Sequence, residues 1–458
     1  MASPPQEPAL LHRSLTHRPH EVVSASGSYL HLSDGRTILD ACGGAAVSIL
    51  GHGNPEVIAA TLTQMQKASY VHTGSYTTRS AEDLARIVLS PHSDFSHGLT
   101  KAFFVGSGSE ANDAAMKCAR QYWYEKGECE RKWFVARQQG YHGNTIGAMS
   151  VSSVLGRKVP YDDILMEKVS FVGPADGFHG RREGETESRF VERLVREAEE
   201  EFLRVGPETV ISFIGETVSG ATLGAMAAPR GYWPAIRALC DRYGILLHLD
   251  EVMCGTGRTG TYFAFEQEGI QPDIVTIGKG LGGGYAPIAG LLINSKIVDV
   301  LKAGSSTFNH GQTYQAHPTS CATALAVQEI VLRERLVGRC AKQGIKLEQL
   351  LRNTFNNSKY VGDIRGRGLF WCVEFMEDIA GKIPFPTEMA FGSKVQLAAF
   401  DLGIAMYPGA GTVDGLRGDH VLIAPPYTVS DEELEIMVST LKKAYDQVVA
   451  ELVVVEQP

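Results

Sequence analysis

An acid and a lysine follow two apolar runs near the middle of this chain. The run Ile245–Leu249 ends on Asp250 and Glu251, and a second apolar run ends on Lys279, which stands between two glycines. Both runs are typical of buried strands, and in an open parallel α/β sheet the carboxyl ends of the strands line one crevice. A lysine and a carboxylate in one crevice suit pyridoxal phosphate, which bonds a lysine as an imine and needs an acid against its pyridinium nitrogen. The alternative for Lys279 is a surface lysine in a flexible glycine-rich loop.

A glycine-rich segment between a predicted strand and a predicted helix, Gly106–Asn112, is a candidate phosphate site. Glycines let the backbone approach an anion, and the free N–H groups at the start of a helix bind phosphate. The alternative is a glycine turn in which Ser109 only caps the helix. Tyr141 and His142 follow another predicted strand. An aromatic ring in that place stacks on a flat cofactor or simply fills a loop.

The segment Gly255–Gly260 matches the G-x-G-x-x-G pattern of dinucleotide-binding loops and also follows a predicted strand. Two acids precede its glycines, and Pro272 soon interrupts the segment that would have to form a long helix. No second βαβ unit with a terminal acid follows at the usual spacing. A dinucleotide-binding protein therefore stays as an unfavoured alternative.

The elements that must position these residues alternate between strand and helix from about residue 101 to residue 314. This alternation predicts an α/β fold with a mostly parallel sheet flanked by helices. The two ends of the chain predict a smaller α+β domain that both of them build. The predicted division assigns residues 1–70 and 315–458 to the smaller domain and residues 71–314 to the larger one.

The composition is that of an ordinary globular protein and argues against several classes. The 458 residues carry a net charge of −9 without a basic stripe, which argues against nucleic-acid partners. No apolar run is long enough to span a membrane, and the first residues lack the apolar core of a signal peptide. The eight cysteines are scattered without a C-x-x-C pair. We therefore expect no metal site and a cytoplasmic protein with reduced thiols, with organelle targeting as an alternative.

Taken together, these residues resemble the class III pyridoxal-phosphate aminotransferases, the ω-aminotransferase family of fold type I. The resemblance rests on an ordered set of motifs between about residues 25 and 450: GHGNPEV, GSGSEAND, YHG, a strand that ends on glutamate, LDEV, GKGLGGGYAPI, HGQTYQAHP, RGRGLF and APPYTVS. It implies a large domain around a seven-stranded sheet. It also implies a homodimer whose active sites lie at the subunit interface.

The resemblance implies a role for each matching residue around the cofactor ring. Lys279 would form the Schiff base with pyridoxal phosphate and later move the proton between the substrate carbon and the cofactor carbon. Asp250 would pair with the ring nitrogen. Glu251 drops out for that role, because alternation along the strand sends it to the opposite face. Val252 would pack on one face of the ring and Tyr141 on the other.

The resemblance also implies contacts to the cofactor phosphate. Gly108 and Ser109 would hold the phosphate at the start of their helix, and the partner subunit's Thr313 would bind it from the other chain. His142 would support the loop of Tyr141 rather than act as a base.

Two further matches are looser. Glu216 matches the glutamate of an E-P-V element of the family, but Thr217 stands here in place of the proline. Arg417 lies in a loop where amine:pyruvate-type relatives often carry a mobile arginine that binds substrate carboxylates.

The reaction that the resemblance implies is the transfer of an amino group from an amine or an ω- or α-amino acid to a keto acid. It would run in two half-reactions with ping-pong kinetics. Pyridoxal-phosphate aminomutases, racemases and decarboxylases of the same family share the cofactor residues and stay as alternatives. The sequence does not name the amino donor or the acceptor.

Overall fold

A computed structural model describes residues 9–455 of the chain. The first part contains a small antiparallel sheet and three helical segments, of which α1 is an irregular single turn. These elements are β1 (Val22–Ser26), β2 (Tyr29–Leu32), β3 (Thr37–Asp40), α1 (Gly43–Ala46), α2 (Pro55–Lys67) and α3 (Arg79–Leu89). Helix α2 begins where the sequence signals a helix start, because the Asn54 side chain accepts hydrogen bonds from the N–H groups of Glu56 and Val57.

The middle of the chain alternates between strands and helices. Its elements are β4 (Leu99–Val105), α4 (Gly108–Glu125), β5 (Trp133–Arg137), α5 (Ile146–Val151), α6 (Leu155–Lys158), β6 (Val169–Val172), α7 (Glu187–Val205), β7 (Val210–Glu216), β8 (Val218–Ser219), β9 (Met226–Ala227), α8 (Tyr232–Tyr243), β10 (Leu246–Glu251), β11 (Ile274–Ile277), β12 (Ala289–Asn294) and α9 (Ser295–Ala303).

Seven of these strands form one sheet in the order β4-β12-β11-β10-β7-β5-β6. Strand β12 runs antiparallel to both of its neighbours, and the other six strands run in one direction. Every residue of β7 and β10 is buried, as expected for strands that helices cover on both faces. The prediction of a mostly parallel sheet flanked by helices is therefore confirmed.

The last part of the chain combines long helices with a second antiparallel sheet. Its elements are α10 (Pro318–Arg333), α11 (Leu336–Phe355), β13 (Val361–Arg367), β14 (Phe370–Phe375), α12 (Phe391–Asp401), β15 (Ile404–Ala405), β16 (Tyr407–Ala410), β17 (Asp419–Ile423) and α13 (Asp431–Val455). Strand β15 pairs with β3, so the two ends of the chain share one sheet. Within residues 9–455, none of the helices combines the length and the apolar character needed to cross a membrane.

Candidate active site

A cavity of about 720 Å³ opens where β7, β10 and β11 end. Its walls also include the start of α4, the turn α6 and strand β16. The cavity therefore lies in the crevice that ligands use in open α/β sheets. Eight residues that the sequence singles out line it: Gly108, Ser109, Tyr141, His142, Glu216, Asp250, Val252 and Lys279.

Asp250 lies at the end of β10 and is held by three hydrogen bonds. One carboxylate oxygen, Oδ2, accepts from Nδ1 of His142 at 2.7 Å and from Nδ2 of Asn112 at 2.9 Å. The other, Oδ1, accepts from the main-chain N–H of Val252 at 3.0 Å. Burial alone raises the pKa of Asp250, but the hydrogen bond and the charge of His142 outweigh it and leave the pKa below its ordinary value. The carboxylate is therefore held ionised and in one orientation.

The partners of Asp250 are themselves fixed by a second set of contacts. The Asn112 side chain also donates to the main-chain oxygen of His142 at 2.7 Å, and its Oδ1 accepts from the Thr276 hydroxyl at 2.9 Å. Thr276 lies within 3.3 Å of Nε2 of the buried His248. A buried polar network whose members are paired holds one geometry, because each broken contact leaves an unsatisfied group.

Lys279 follows β11 and begins a short 3₁₀ turn, Lys279–Leu281. Its φ of 42° lies in the left-handed region, which a lysine rarely adopts. Its ammonium nitrogen Nζ donates to the carbonyl oxygen of Ala45 at 3.2 Å. Burial lowers the pKa of Lys279, so a larger share of its amine is neutral and nucleophilic. A backbone strain at this position is typical of functional sites.

Glu216 lies at the end of β7, beside Asp250 in the sheet register. Its carboxylate accepts from the main-chain N–H of Tyr141 at 3.2 Å and from that of Gly220 at 2.7 Å. Burial raises the pKa of Glu216, and the nearby charge of Asp250 adds to the effect. Glu216 therefore ties the Tyr141 loop to the sheet.

The next strand residue, Glu251, points away from the cavity, as the alternation along β10 predicts. It accepts hydrogen bonds from the Thr217 hydroxyl at 2.8 Å and from the main-chain N–H groups of Ala264 and Phe265 at 2.7 and 2.8 Å. Burial raises its pKa to about 7. The threonine that replaces the family proline thus has a structural use, because its hydroxyl supports this buried acid.

The start of α4 supplies the glycine-rich end of the cavity. The helix is capped by Ser107, whose hydroxyl oxygen accepts from the N–H of Glu110 at 3.3 Å, so the alternative in which Ser109 is the cap is wrong. The Ser109 hydroxyl instead donates to Oδ1 of Asn144 at 2.9 Å. Because the first N–H groups of a helix have no intrahelical partner, Gly108 and Ser109 offer theirs to an anion.

These residues fit pyridoxal phosphate on several observations. The Asp250 atom Oδ1 has one donor, so it keeps a lone pair for a protonated ring nitrogen. A Cβ on Gly108 would lie 2.8 Å from a methyl carbon of Val252, so only glycine lets the helix start and Val252 lie this close. Tyr141 and Val252 both line the space, and a partly buried amine with a lowered pKa stands beside it.

Two predicted site residues lie outside the lining of the cavity. Thr313 is exposed in the loop before α10. Arg417 is exposed in the loop between β16 and β17, where its Nε donates to a carboxylate oxygen of Asp414 at 2.7 Å. Their roles toward the phosphate of a partner subunit and toward a substrate carboxylate therefore stay predictions.

Three residues that matter to the cavity were given no individual role from the sequence. Asn112 had a usable signal, because it lies four residues after Gly108 and so on the same face of α4. Arg157, in the single-turn helix α6, lines the cavity without any spacing that marks it. Gln139 binds the carbonyl oxygens of Gly411 and Thr412 across a gap of more than 270 residues.

The dinucleotide-binding alternative for Gly255–Gly260 is not supported. The segment forms buried turns rather than the start of a helix, and none of its residues lines the cavity. Its Arg258 is buried and donates to the main-chain oxygens of Leu369 and Pro425. These glycines therefore serve the contact between the large sheet and the last part of the chain.

Comparison with known proteins agrees with this site. The model of the class-III aminotransferase family matches residues 12–445. An uncharacterized aminotransferase of Schizosaccharomyces pombe is 46% identical over 443 residues, which cover 97% of this chain and 96% of that protein. The chloroplastic gamma aminobutyrate transaminase 3 of Solanum lycopersicum is 34% identical over 438 residues, which cover 93% and 80%.

A solved transaminase structure also matches this chain over most of its length. The omega transaminase from Pseudomonas jessenii, in complex with PMP, matches this chain with a TM-score of 0.88 at 33% identity. The match covers 94% of this chain and 93% of that one. The chain therefore belongs to the class-III aminotransferase family, and it is a pyridoxal-phosphate-dependent transaminase of fold type I.

Proposed function

We propose that Lys279 and Asp250 are the catalytic residues with which this chain moves an amino group from an amine or amino acid to a keto acid. The observation that carries the proposal is that the Lys279 amine and the ionised Asp250 carboxylate line one cavity, with Tyr141 and Val252 beside them. Pyridoxal phosphate, when bound, supplies an electron sink that makes the proton on the amine-bearing carbon of the substrate acidic.

Lys279 binds the cofactor and then acts on this proton. Its neutral amine would take the proton from the substrate carbon as a general base. It would then deliver this proton to the cofactor carbon as a general acid. Burial favours this chemistry, because the lowered pKa of Lys279 increases the share of its amine that is neutral. The Ala45 carbonyl, 3.2 Å from Nζ, orients the amine while it is free.

Asp250 keeps the ring nitrogen of the cofactor protonated. A carboxylate that stays ionised beside a ring nitrogen favours its protonated form, since opposite charges raise the pKa of the nitrogen. His142 and Asn112 position Asp250 through Oδ2 and leave Oδ1 with the main-chain N–H of Val252 as its one donor. Glu216 positions the Tyr141 loop. The phenol ring would then pack on one face of the bound cofactor and Val252 on the other.

The proposed active unit is a homodimer with its two sites at the subunit interface. Gly108 and Ser109 bind the cofactor phosphate with the N–H groups of α4, and the partner subunit's Thr313 adds its hydroxyl. The exposure of Thr313 outside the cavity of its own chain supports a role toward a second chain.

This dimer has a direct test. Light scattering should give twice the mass of the 49.7 kDa chain. The variant Thr313→Ala should bind pyridoxal phosphate about 10-fold less tightly, because it loses one hydrogen bond to a charged group. A monomer, or a Thr313→Ala variant with unchanged affinity, would contradict this arrangement.

The proposed substrates are an amino donor and a keto acid that react in turn, with ping-pong kinetics. The S. lycopersicum relative is a gamma aminobutyrate transaminase, and the P. jessenii protein is an omega transaminase. Compounds with a terminal amine therefore belong among the amino donors to be tested. Aminomutases, racemases and decarboxylases need no keto acid. Product formation that depends on an added keto acid separates the proposed reaction from these alternatives.

Two further proposals concern the domain division and the cellular location. We keep the domain division at residues 70 and 314, supported by the pairing of β3 with β15. We also propose a cytoplasmic location, supported by the eight cysteines, which are all free thiols in this structure.

The central experiment measures cofactor uptake and amino transfer together. Purified protein incubated with pyridoxal phosphate should show a visible imine band and convert an amino donor in the presence of pyruvate or 2-oxoglutarate. Lys279→Ala should lose the band and lower the rate of transfer by at least about 10⁴-fold. A wild type that takes up no pyridoxal phosphate, or an Lys279→Ala variant that keeps its activity, would refute the proposal.

A further inference from the structure

The cavity holds more positive charge than the cofactor chemistry uses. Among the described residues 9–455, three arginine and lysine side chains line it: Arg13, Arg157 and Lys279. Lys279 bonds the cofactor in the proposed function. Two guanidinium groups are therefore left for another purpose.

Arg157 is the better placed of the two. Its guanidinium carbon lies 5.1 Å from the centre of the Tyr141 ring, a contact that holds a flat cation against an aromatic face. No hydrogen bond or ion pair joins its side chain to any residue of the described range. The neighbouring cation Lys158 differs, because its ammonium group donates to the main-chain oxygens of Ser150 and Ser152.

The two acids that line the cavity, Asp250 and Glu216, are held by donors other than Arg157. Asp250 has three donors and Glu216 has two, and neither carboxylate is paired with an arginine. The negative charge of Asp250 opposes the entry of another anion. A keto acid must nevertheless bring its carboxylate into this space, so it requires a cation there.

The other candidate arginines are less suited to this task. Arg417 is outside the lining and its Nε already donates to Asp414 at 2.7 Å. Arg13 lies in the segment before β1, which forms no helix or strand between residues 9 and 21. Arg157 combines a place on the wall, an aromatic support and an unused pair of N–H groups, which is the arrangement that binds a carboxylate with two parallel hydrogen bonds.

We infer that Arg157 binds the substrate carboxylate, so that the enzyme selects amino acids and 2-oxo acids over simple amines and aldehydes. The inference rests on the proposed transaminase function and deepens it. Arg157 stacks on the residue that is proposed to cover the cofactor ring. It also lines the same cavity as Lys279, and after burial its charge is one of the causes that lower the pKa of Lys279. A carboxylate bound to Arg157 would therefore share this cavity with the Lys279 amine.

The test compares acceptors with and without a carboxylate in one half-reaction. Enzyme loaded with pyridoxamine phosphate is mixed with pyruvate or with acetaldehyde. The change in cofactor absorbance gives, for each acceptor, the ratio kmax/K of the maximal rate constant to the half-saturating acceptor concentration. In Arg157→Ala, the value for pyruvate should fall about 10- to 100-fold, as expected for a lost charge-assisted pair. The value for acetaldehyde should change less than about threefold.

Two further variants and a binding measurement keep the result specific. Arg157→Lys should keep part of the preference for pyruvate that Arg157→Ala loses. Lysine keeps the positive charge but lacks the two parallel N–H groups of the guanidinium. The dissociation constant of glutarate, a dicarboxylate that cannot react, should rise in parallel with the loss of kmax/K. Arg352→Ala, which removes the same charge from the exposed face of α11, should leave the preference unchanged.

Several outcomes would overturn the inference while leaving the transaminase in place. One is an Arg157→Ala enzyme that loads the cofactor and keeps the wild-type ratio of pyruvate to acetaldehyde. Another is a loss confined to pyruvate in Arg417→Ala or Arg13→Ala but absent from Arg157→Ala. A wild type that takes up no pyridoxamine phosphate would instead refute the proposed function, and the inference with it.

Discussion

The two ends of the cavity are built in different ways. At the cofactor end, Asp250 and Glu216 stand on the ends of buried strands, and each is held by at least two hydrogen bonds. At the substrate end, the walls come from the turn α6 and from the loop after β16, where Arg157 and Leu416 are exposed. One end is a buried network of hydrogen-bonded side chains, and the other is a set of exposed loop side chains.

In the proposed function, the difference follows from what each end binds. Buried polar groups must be paired, so the cofactor end admits few arrangements of its side chains. Exposed loop residues have no such requirement, and binding residues are often found on loops that a rigid scaffold positions. We therefore expect substitutions at the cofactor end to stop the chemistry and substitutions at the substrate end to change the preference for substrates.

After the loss of Lys279 itself, the largest effect is expected for Asp250→Asn at the cofactor end. The amide keeps the size of the side chain but loses the charge, so the ring nitrogen is no longer held protonated. We expect kcat/KM to fall about 10²- to 10³-fold for every substrate, which stopped-flow or steady-state assays measure. If oxo acids and aldehydes were affected unequally, the separation between the two ends would be wrong.

The adjacent acid Glu251 supplies the matched contrast, because it is buried but faces away from the cavity. Its pKa is raised to about 7 from an ordinary value of 4.5, so the folded protein holds a proton that the unfolded chain releases between these values. The free energy of unfolding should therefore fall by about 3 kcal/mol as the pH rises from 4.5 to 7. Denaturant titrations at several pH values measure this slope.

The variant Glu251→Gln should remove this pH dependence, since glutamine does not titrate. It should also lower the free energy of unfolding at pH 5 by about 1–3 kcal/mol, because one of the three donors to Glu251 loses its acceptor. Its kcat/KM at 25 °C should stay within about threefold of wild type. A large loss of activity in a folded Glu251→Gln protein would show that the two faces of β10 are coupled.

A third prediction concerns the close contact between the helix start and the cofactor wall. In Gly108→Ala, the new Cβ would lie 2.8 Å from a methyl carbon of Val252, so Val252 or α4 must move. Overpacking of this kind costs about 1–3 kcal/mol, and we expect the affinity for pyridoxal phosphate to drop about 5- to 100-fold. Fluorescence titration measures it, and Gly338→Ala on helix α11, where a Cβ meets nothing within 4 Å, controls for a general effect on folding.

The smallest effect is expected at the substrate end for Gln139→Ala. The Gln139 amide donates to the carbonyl oxygens of Gly411 and Thr412 at 2.7 and 3.0 Å, and so holds the loop that carries Leu416. Its loss should raise KM up to about 10-fold and leave the affinity for pyridoxal phosphate unchanged. Limited proteolysis should show faster cleavage between residues 411 and 418, whereas Gln64→Ala on α2 should match wild type.

The prediction from sequence was most complete where periodicity and strand ends coincide. Lys279, Asp250, Glu216 and Tyr141 each follow an apolar run, and parallel strands bring such ends together. The opposite orientation of Glu251 followed from the alternation along one strand. The cap of α4 was placed on Ser109 as an alternative and lies on Ser107, because two serines two residues apart are equivalent in a sequence pattern.

Sequence patterns were enough to predict the fold, the cofactor and eight of the side chains that line the cavity, because these depend on the period of apolar residues and on motifs of adjacent residues. The packing of separate elements was needed to show which groups support Asp250 and that Arg157 lines the cavity. Asn112 reaches Asp250 across 138 positions, and Gln139 reaches the loop at Thr412 across 273. Such contacts depend on how separate elements pack, and no local spacing in the chain records them.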